Sequence, residues 1–215
     1  NDPTALATME VLTKITPVAY STDANLSTLA NCRAVNLVLE LGNCDCSCYA
    51  YPLFGFQAGW RFGDYQAAFR FGQLGCKMVE QPGLMRFRAR VYVAFAGLIV
   101  PWARHVRDGR DSCRRGFEAS HQSGDLTFVA YGDFVLITNL LAEGVPLSEV
   151  QREADRGLAF SQKAHFDLIV QIIGAQLALV HTLRALIPTF GSFDHEQFDE
   201  VRVERHFAAN PDLAF

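Results

Sequence analysis

Gly75-Cys76-Lys77-Met78-Val79-Glu80-Gln81-Pro82-Gly83 carries two glycines eight residues apart, and that pair recurs along the chain. Ala34 and Gly42 repeat it with the same offset on the N-terminal side, and Gly116 and Gly124 repeat it on the C-terminal side. Successive pairs are spaced by about 41 residues, a period that signals stacked supersecondary units. Gly157 continues the Ala34, Gly75 and Gly116 column by one further period. The turn column, Gly42, Gly83 and Gly124, suits the left-handed residue that ends a helix. The interior column, Ala34, Gly75, Gly116 and Gly157, lies inside the helices. Glycine there costs about 1 kcal/mol against alanine, so its recurrence at one phase suggests close helix approach. Cys48, Ala89 and Ala130 form a third small column.

The segments between the columns read as helices. One set precedes each turn position: residues 25–41, 64–81, 107–122 and 146–163. A second set follows: residues 45–60, 84–100, 125–143 and 165–187. Phe87, Val91, Ala94, Phe95 and Leu98 keep helical spacing, as do Leu168, Ile172, Ala175, Leu179 and Leu183. Asp64 and Ser148 suit helix N-termini. Pro52 falls inside an expected helix and should kink it or delay its start. The fourth turn, Lys163-Ala164-His165, lacks glycine and reads as one residue short of the register. The expected fold is all-α, an αα-superhelix of about four antiparallel helix pairs over residues 1–192. Residues 193–215 break the repeat as an irregular acidic segment with one short helix. Asn210-Pro211-Asp212-Leu213 reads as the start of another helix.

Gly63-Asp64-Tyr65-Gln66-Ala67-Ala68 resembles the turn into a tetratricopeptide-like (TPR-like) helix, which implies a right-handed solenoid. Arg61 to Gly72, Ala89-Arg90-Val91-Tyr92, Gly109-Arg110-Asp111, Asp125-Leu126-Thr127-Phe128, Glu149 to Ala154 and Asp212-Leu213-Ala214-Phe215 resemble the helical-repeat region of very large bacterial signalling proteins. Those proteins join a serine/threonine-kinase-like domain, a predicted P-loop ATPase, the helical region, a GAF domain and a sensor histidine kinase. The resemblance implies a cytoplasmic signal-transduction context. It brings no catalytic residue to this chain, which has no G-x-x-x-x-G-K-[ST] and no kinase H-R-D and D-F-G pair.

The 215 residues suffice for a buried core, with 50% hydrophobic and 20% charged residues. A formal net charge of −4 argues against nucleic acid, whose phosphates need a basic surface. The tract Phe166 to Pro188 is interrupted by Asp167, Gln171, Gln176, His181 and Arg184, which makes it a poor membrane span. The chain begins at Asn1 with no signal-peptide pattern and reads as part of something longer. Six cysteines in this length suit reduced thiols of a cytoplasmic protein better than a disulfide framework.

Cys44-Asp45-Cys46-Ser47-Cys48 has the residue types that clip a soft metal ion. No second cysteine pair follows at usable spacing. A helix beginning near Asp45 would put Cys44 and Cys48 on one face and turn Cys46 away. These thiols, with Cys76 and Cys113, are therefore read as core packing, and no metal, cofactor or catalytic residue is expected. The histidines are scattered, and Asp194-His195-Glu196 reads as a solvated acidic loop. Trp60 and Trp102 end successive helices and read as core or capping aromatics. The remaining candidate is a concave groove, with Tyr49, Arg90, Tyr131 and Gln171 along one column of the helices that follow the turns. Tyr and Arg anchor interfaces. The expected role is a non-catalytic interaction and signal-relay scaffold, partnered by other domains of its parent protein or by separate proteins. Self-association through solenoid ends would accompany it. The alternative is a ligand-sensing domain that binds a small molecule or peptide in the groove.

Overall fold

The computed structural model of the chain describes residues 2–20, 22–187, 192–194 and 198–209. Among them the fold is all-α, with no β-strand. The chain divides into two compact units, Asn1–Ser123 and Gly124–Phe215, parting at a glycine of the turn column.

The first unit runs α1 (Pro3–Tyr20), α2 (Ala24–Leu41), α3 (Ser47–Phe62), α4 (Tyr65–Met78), α5 (Arg88–Ala94), α6 (Val100–Ala103) and α7 (Arg110–Ser123). The glycine pattern does not announce α1. Pro3 at its first position and the Asp2 carboxylate, which accepts from Thr4 N at 3.0 Å, start it. Met9, Thr13, Thr16 and Ala19 form its buried stripe, and Ser27 of α2 donates to the Thr16 carbonyl at 2.9 Å. Asp23 caps α2 through Asn25 N and Leu26 N. Helix α2 also packs on α3, α3 packs on α4 and α5, and α5 packs on α7.

Pro52 lies inside α3 and does not end it. The helix begins at Ser47, two residues later than expected, and continues through the proline. Proline has no N–H for the carbonyl four residues back, which is Cys48. Gly75 of α4 lies against that carbonyl: a Cβ there would stand 2.7 Å from Cys48 O and 2.7 Å from Pro52 Cδ. Gly116 of α7 packs on Val93 of α5, and Gly157 of α9 packs on Asp133 and Ile173. Ala34 is 2% exposed. The interior column therefore sits at helix crossings. Asp64 caps α4 by accepting from Ala67 N at 2.8 Å. Ser148 is not a cap, because α9 starts at Leu147 with Pro146 before it.

The expected helix over residues 84–100 is not uniform. It opens with a 3₁₀ turn at Met85–Phe87, becomes α5, widens into a π turn at Phe95–Ile99 and ends as α6. Phe95 fills the space above Gly72, where a Cβ would stand 2.4 Å from its ring. Pro101, which has no N–H to donate to the carbonyl four residues back, lies just beyond the wide turn.

The second unit runs α8 (Leu126–Glu143), α9 (Leu147–Lys163), α10 (Asp167–Leu183) and α11 (Glu200–Ala209). Helix α9 packs on α8 and α10, and α8 also packs on α10. Ile137, Val150, Ala154, Ile173 and Val180 are each fully buried in this core. Helix α8 is long and apolar enough by composition to cross a membrane. Within its unit it is a packed helix that buries Val129, Ala130, Ile137, Asp133 and Asn139.

The fourth turn keeps the register, contrary to its sequence reading. His165 lies one full period after Gly124 and takes a positive φ of 59°. Its N–H donates to Gln162 O at 3.2 Å and Phe166 N–H donates to Ser161 O at 3.0 Å, the two bonds of a Schellman cap. The short helix expected after residue 193 is α11. Asn210 to Phe215, with the helix start expected there, lie outside the described residues, as do His195 and Glu196.

Candidate functional site

The four residues of the expected groove have different fates. Tyr49 is 4% exposed and stacks on Phe87 with ring centroids 6.1 Å apart, so it is a core residue and cannot line an open groove. A tyrosine at the start of a helix buried against its neighbours has no free face. Arg90 is half-buried, with its guanidinium 5.8 Å from the Phe87 ring. Tyr131 is half-buried between Phe128 and Phe134, edge to face at 5.4 and 6.0 Å. Gln171 borders a real groove.

That groove, about 880 Å³, lies between α9, α10 and α11. Gln162 of α9, Asp167 and Gln171 of α10, and Arg202 and His206 of α11 supply polar walls, with Leu158, Val170 and Phe198 between them. Phe198 lines the groove beside Gly174, with its ring 3.6 Å from the Cβ position of that glycine. Gln171 Oε1 is buried with no hydrogen-bond partner among the described residues. The repeat pattern signalled α10 but not α11, whose sequence lies outside the periodic columns.

The cysteine cluster differs from its sequence reading. Helix α3 starts at Ser47, so residues 44–46 form a turn. Cys44 and Cys46 converge, while Cys48 turns away to the Leu84 carbonyl at 3.9 Å. The expected sharing of a face by Cys44 and Cys48 fails because the helix begins after both Cys44 and Cys46. Ser47 Oγ accepts from Cys44 N at 2.9 Å and lies 3.5 Å from Cys44 Sγ. The Cys46 thiol, the Ser47 hydroxyl and backbone N–H groups hold the Cys44 thiol well down, to about 5. The same pairing, with burial, pushes Cys46 upward, and burial takes Cys48 up to about 12. Arg86, from the 3₁₀ turn before α5, binds Glu10 of α1 through both carboxylate oxygens and reaches Asp45 Oδ2 at 3.3 Å. That contact holds Glu10 below the ordinary carboxylate range. None of the six cysteines is in a disulfide. Cys113 is core, and Cys76 is partly buried against Ala68 and Phe95.

Trp60 and Trp102 are surface residues, 54% and 67% exposed, and not core. Each ends a helix, where the last turn projects past the packed layer. Trp60 stacks on Phe56 at 5.9 Å and carries Arg61 over its ring at 4.9 Å. Phe62 and Tyr65 extend the exposed aromatic edge across the Gly63 turn. Helix α1 exposes Val11, Ile15 and Val18 along one face, at 54%, 40% and 68%.

Sequence reading also missed a polar tie that obeys the repeat. Tyr92 and Asp133 stand one period apart, as do Arg115 and Arg156. Arg115 Nη1 donates to Tyr92 Oη at 3.3 Å, and Arg156 Nη2 donates to Asp133 Oδ1 at 3.1 Å. The common spacing of the two arginines was the available signal.

The chain matches no family model, no curated protein and no solved structure.

Proposed function

We propose that this chain is a non-catalytic interaction and signal-relay segment, an αα-array of about four antiparallel helix pairs that docks to neighbouring domains or protein partners. One observation carries the reading. Helix α1 presents Val11, Ile15 and Val18 to solvent at helical spacing, with Leu26 and Leu29 of α2 also exposed. An exposed apolar stripe at helical spacing marks a contact surface. In a stacked array it is the uncovered outer side of a helix pair, which a further pair, a neighbouring domain or a second copy would cover. The sequence likeness to bacterial multidomain signalling proteins supplies the context: a cytoplasmic segment between ATPase, sensory and histidine-kinase modules.

Light scattering over a concentration series tests the reading. The wild-type chain should associate, and Val11→Glu with Val18→Glu should return it to monomer without changing its helical circular dichroism. A wild type that stays monomeric at high concentration, with α1 amides exchanging as slowly as those of α3, would overturn it.

A second reading is a ligand-sensing domain, favoured by the α9–α10–α11 groove. Its volume of about 880 Å³ is within the range of small-molecule sites. The unsatisfied Gln171 Oε1 offers a hydrogen-bond acceptor to a ligand or peptide. A thermal-shift screen with metabolites and peptides separates the two: shifts abolished by Gln171→Ala favour sensing, and uniformly absent shifts favour the scaffold.

A further inference from the structure

The turn that leads into α3 brings three metal-ligating side chains to one point. Cys44 Sγ, a carboxylate oxygen of Asp45 and Cys46 Sγ all lie within 4.8 Å of one another. We propose that Cys44, Asp45 and Cys46 bind a thiophilic divalent cation of the zinc class.

Around a tetrahedral zinc, sulfur ligands sit at about 2.3 Å and carboxylate oxygens at about 2.0–2.2 Å, so neighbouring donors stand roughly 3.3–3.8 Å apart. The three donors lie within 4.8 Å of one another, about 1 Å beyond that spacing at most, a gap that rotation about side-chain bonds closes. The backbone beneath them is already fixed. Ser47 N–H donates to Cys44 O at 3.1 Å, and the Ser47 hydroxyl accepts from Cys44 N, which folds residue 44 back over the helix start. Asp45 Oδ1 accepts from Cys46 N at 2.8 Å, which steadies the carboxylate on the same turn.

A surrounding shell is also present. Arg86 holds Asp45 through Oδ2 and holds Glu10 through both oxygens. Such outer contacts orient the ligands of metal sites. Glu10 Oε1 lies 3.7 Å from Cys46 Sγ and faces the site as a second carboxylate. With both thiols ionised, four anionic groups face one guanidinium, so the site stays negative and attracts a dication. Water completes the coordination, as it does where zinc has three protein ligands. Two sulfurs and one oxygen select against magnesium and calcium, which take oxygen alone. Cys46 is 2% exposed, while Cys44 and Asp45 are half-buried, which leaves an approach from solvent on the Cys44 side. Binding forms two metal–sulfur bonds and one metal–oxygen bond, and any proton still held by the two thiols passes to solvent.

The test uses the full chain, metal-free and kept reduced with a phosphine. Titration with Co²⁺ should give thiolate-to-cobalt charge-transfer absorption that saturates at one equivalent and is displaced by Zn²⁺ but not by Mg²⁺. Cys44→Ser and Cys46→Ser should each weaken Zn²⁺ binding by at least about 100-fold, and Arg86→Met by roughly tenfold. Cys48→Ser should leave the titration unchanged. Should a serine variant fold poorly, the wild type still decides the matter: Zn²⁺ should protect the half-buried Cys44 from alkylation, read by peptide mass spectrometry, and leave the half-buried Cys32 open. Absence of the charge-transfer band, binding that survives both serine substitutions, or equal protection of Cys32 would each overturn the proposal.

Discussion

Arg156 of α9 reaches across to Asp133 of α8, with Nη2 3.1 Å from Oδ1, and the aspartate side chain is 3% exposed. The arginine itself is half-exposed and also pairs with Glu153 at 2.9 Å. Burial raises Asp133 from 3.8 to about 6, against the opposing pull of Arg156 and with help from Glu153. Between those two values the folded protein holds a proton that the unfolded chain has released. Stability from this group is therefore complete below about pH 4 and falls as pH rises through 6. The loss should be on the order of 2 kcal/mol. Asp133→Asn keeps an acceptor for Arg156 and removes the titration. Urea unfolding at pH 4.5 and pH 7.5 should show a smaller decline for the variant than for the wild type.

Gly75 and Gly116 share a sequence column but not a tolerance. A methyl at Gly75 meets the Cys48 carbonyl and the Pro52 ring, both at 2.7 Å and both rigid. Gly75→Ala should cost about 1–3 kcal/mol by overpacking, beyond the gain in helix propensity. A methyl at Gly116 meets Val93 Cγ2 at 3.0 Å, a group able to move. Gly116→Ala should change stability by less than about 1 kcal/mol. Parallel thermal melts separate the two, and equal effects would contradict this account of the column.

His165 occupies the fourth place in the turn column with φ of 59°, and Ala185 repeats the strain after α10 with φ of 55°. Both side chains are exposed. Left-handed backbone costs a non-glycine residue roughly 1 kcal/mol. His165→Gly and Ala185→Gly should therefore each stabilise the second unit by about 0.5–1 kcal/mol. Chemical denaturation is the measurement, and destabilisation by either variant would contradict the prediction.

Phe198 lines the α9–α10–α11 groove and rests beside Gly174 of α10. Phe198→Ala should loosen α11 and leave the α8–α10 core intact. Hydrogen exchange in residues 200–209 should rise roughly tenfold, as expected for about 1–2 kcal/mol of lost packing. Amides of α8 should keep their protection.

The helices from α2 to α10 were readable because their signals are local. Positive-φ glycines, apolar spacing at helical period and an Asp64 cap each act within a few residues. The interior glycine column was readable for a different reason: glycine is unfavourable in a helix, so its recurrence records a packing demand. What failed depended on exact helix starts. A start of α3 at Ser47, two residues later than expected, brought Cys44 to Cys46 and not to Cys48, and the stack on Phe87 buried Tyr49. The π turn before Pro101 was illegible, because one extra residue in a helical turn leaves the apolar pattern almost unchanged. Trp60 and Trp102 were misread because an aromatic at a helix end satisfies the same spacing whether it points inward or past the packed layer.

The sequence by itself determined that this chain is helical, where its turns fall and which helix faces approach closely, since backbone conformation and glycine sterics act at short range. Tertiary structure alone decided which side chains converge. Glu10, Asp45 and Arg86 meet across three segments up to 76 residues apart, and the groove beside Gln171 exists only because α11 folds back on α9 and α10. Convergence of that kind depends on the angles and ends of whole helices, which no local pattern encodes.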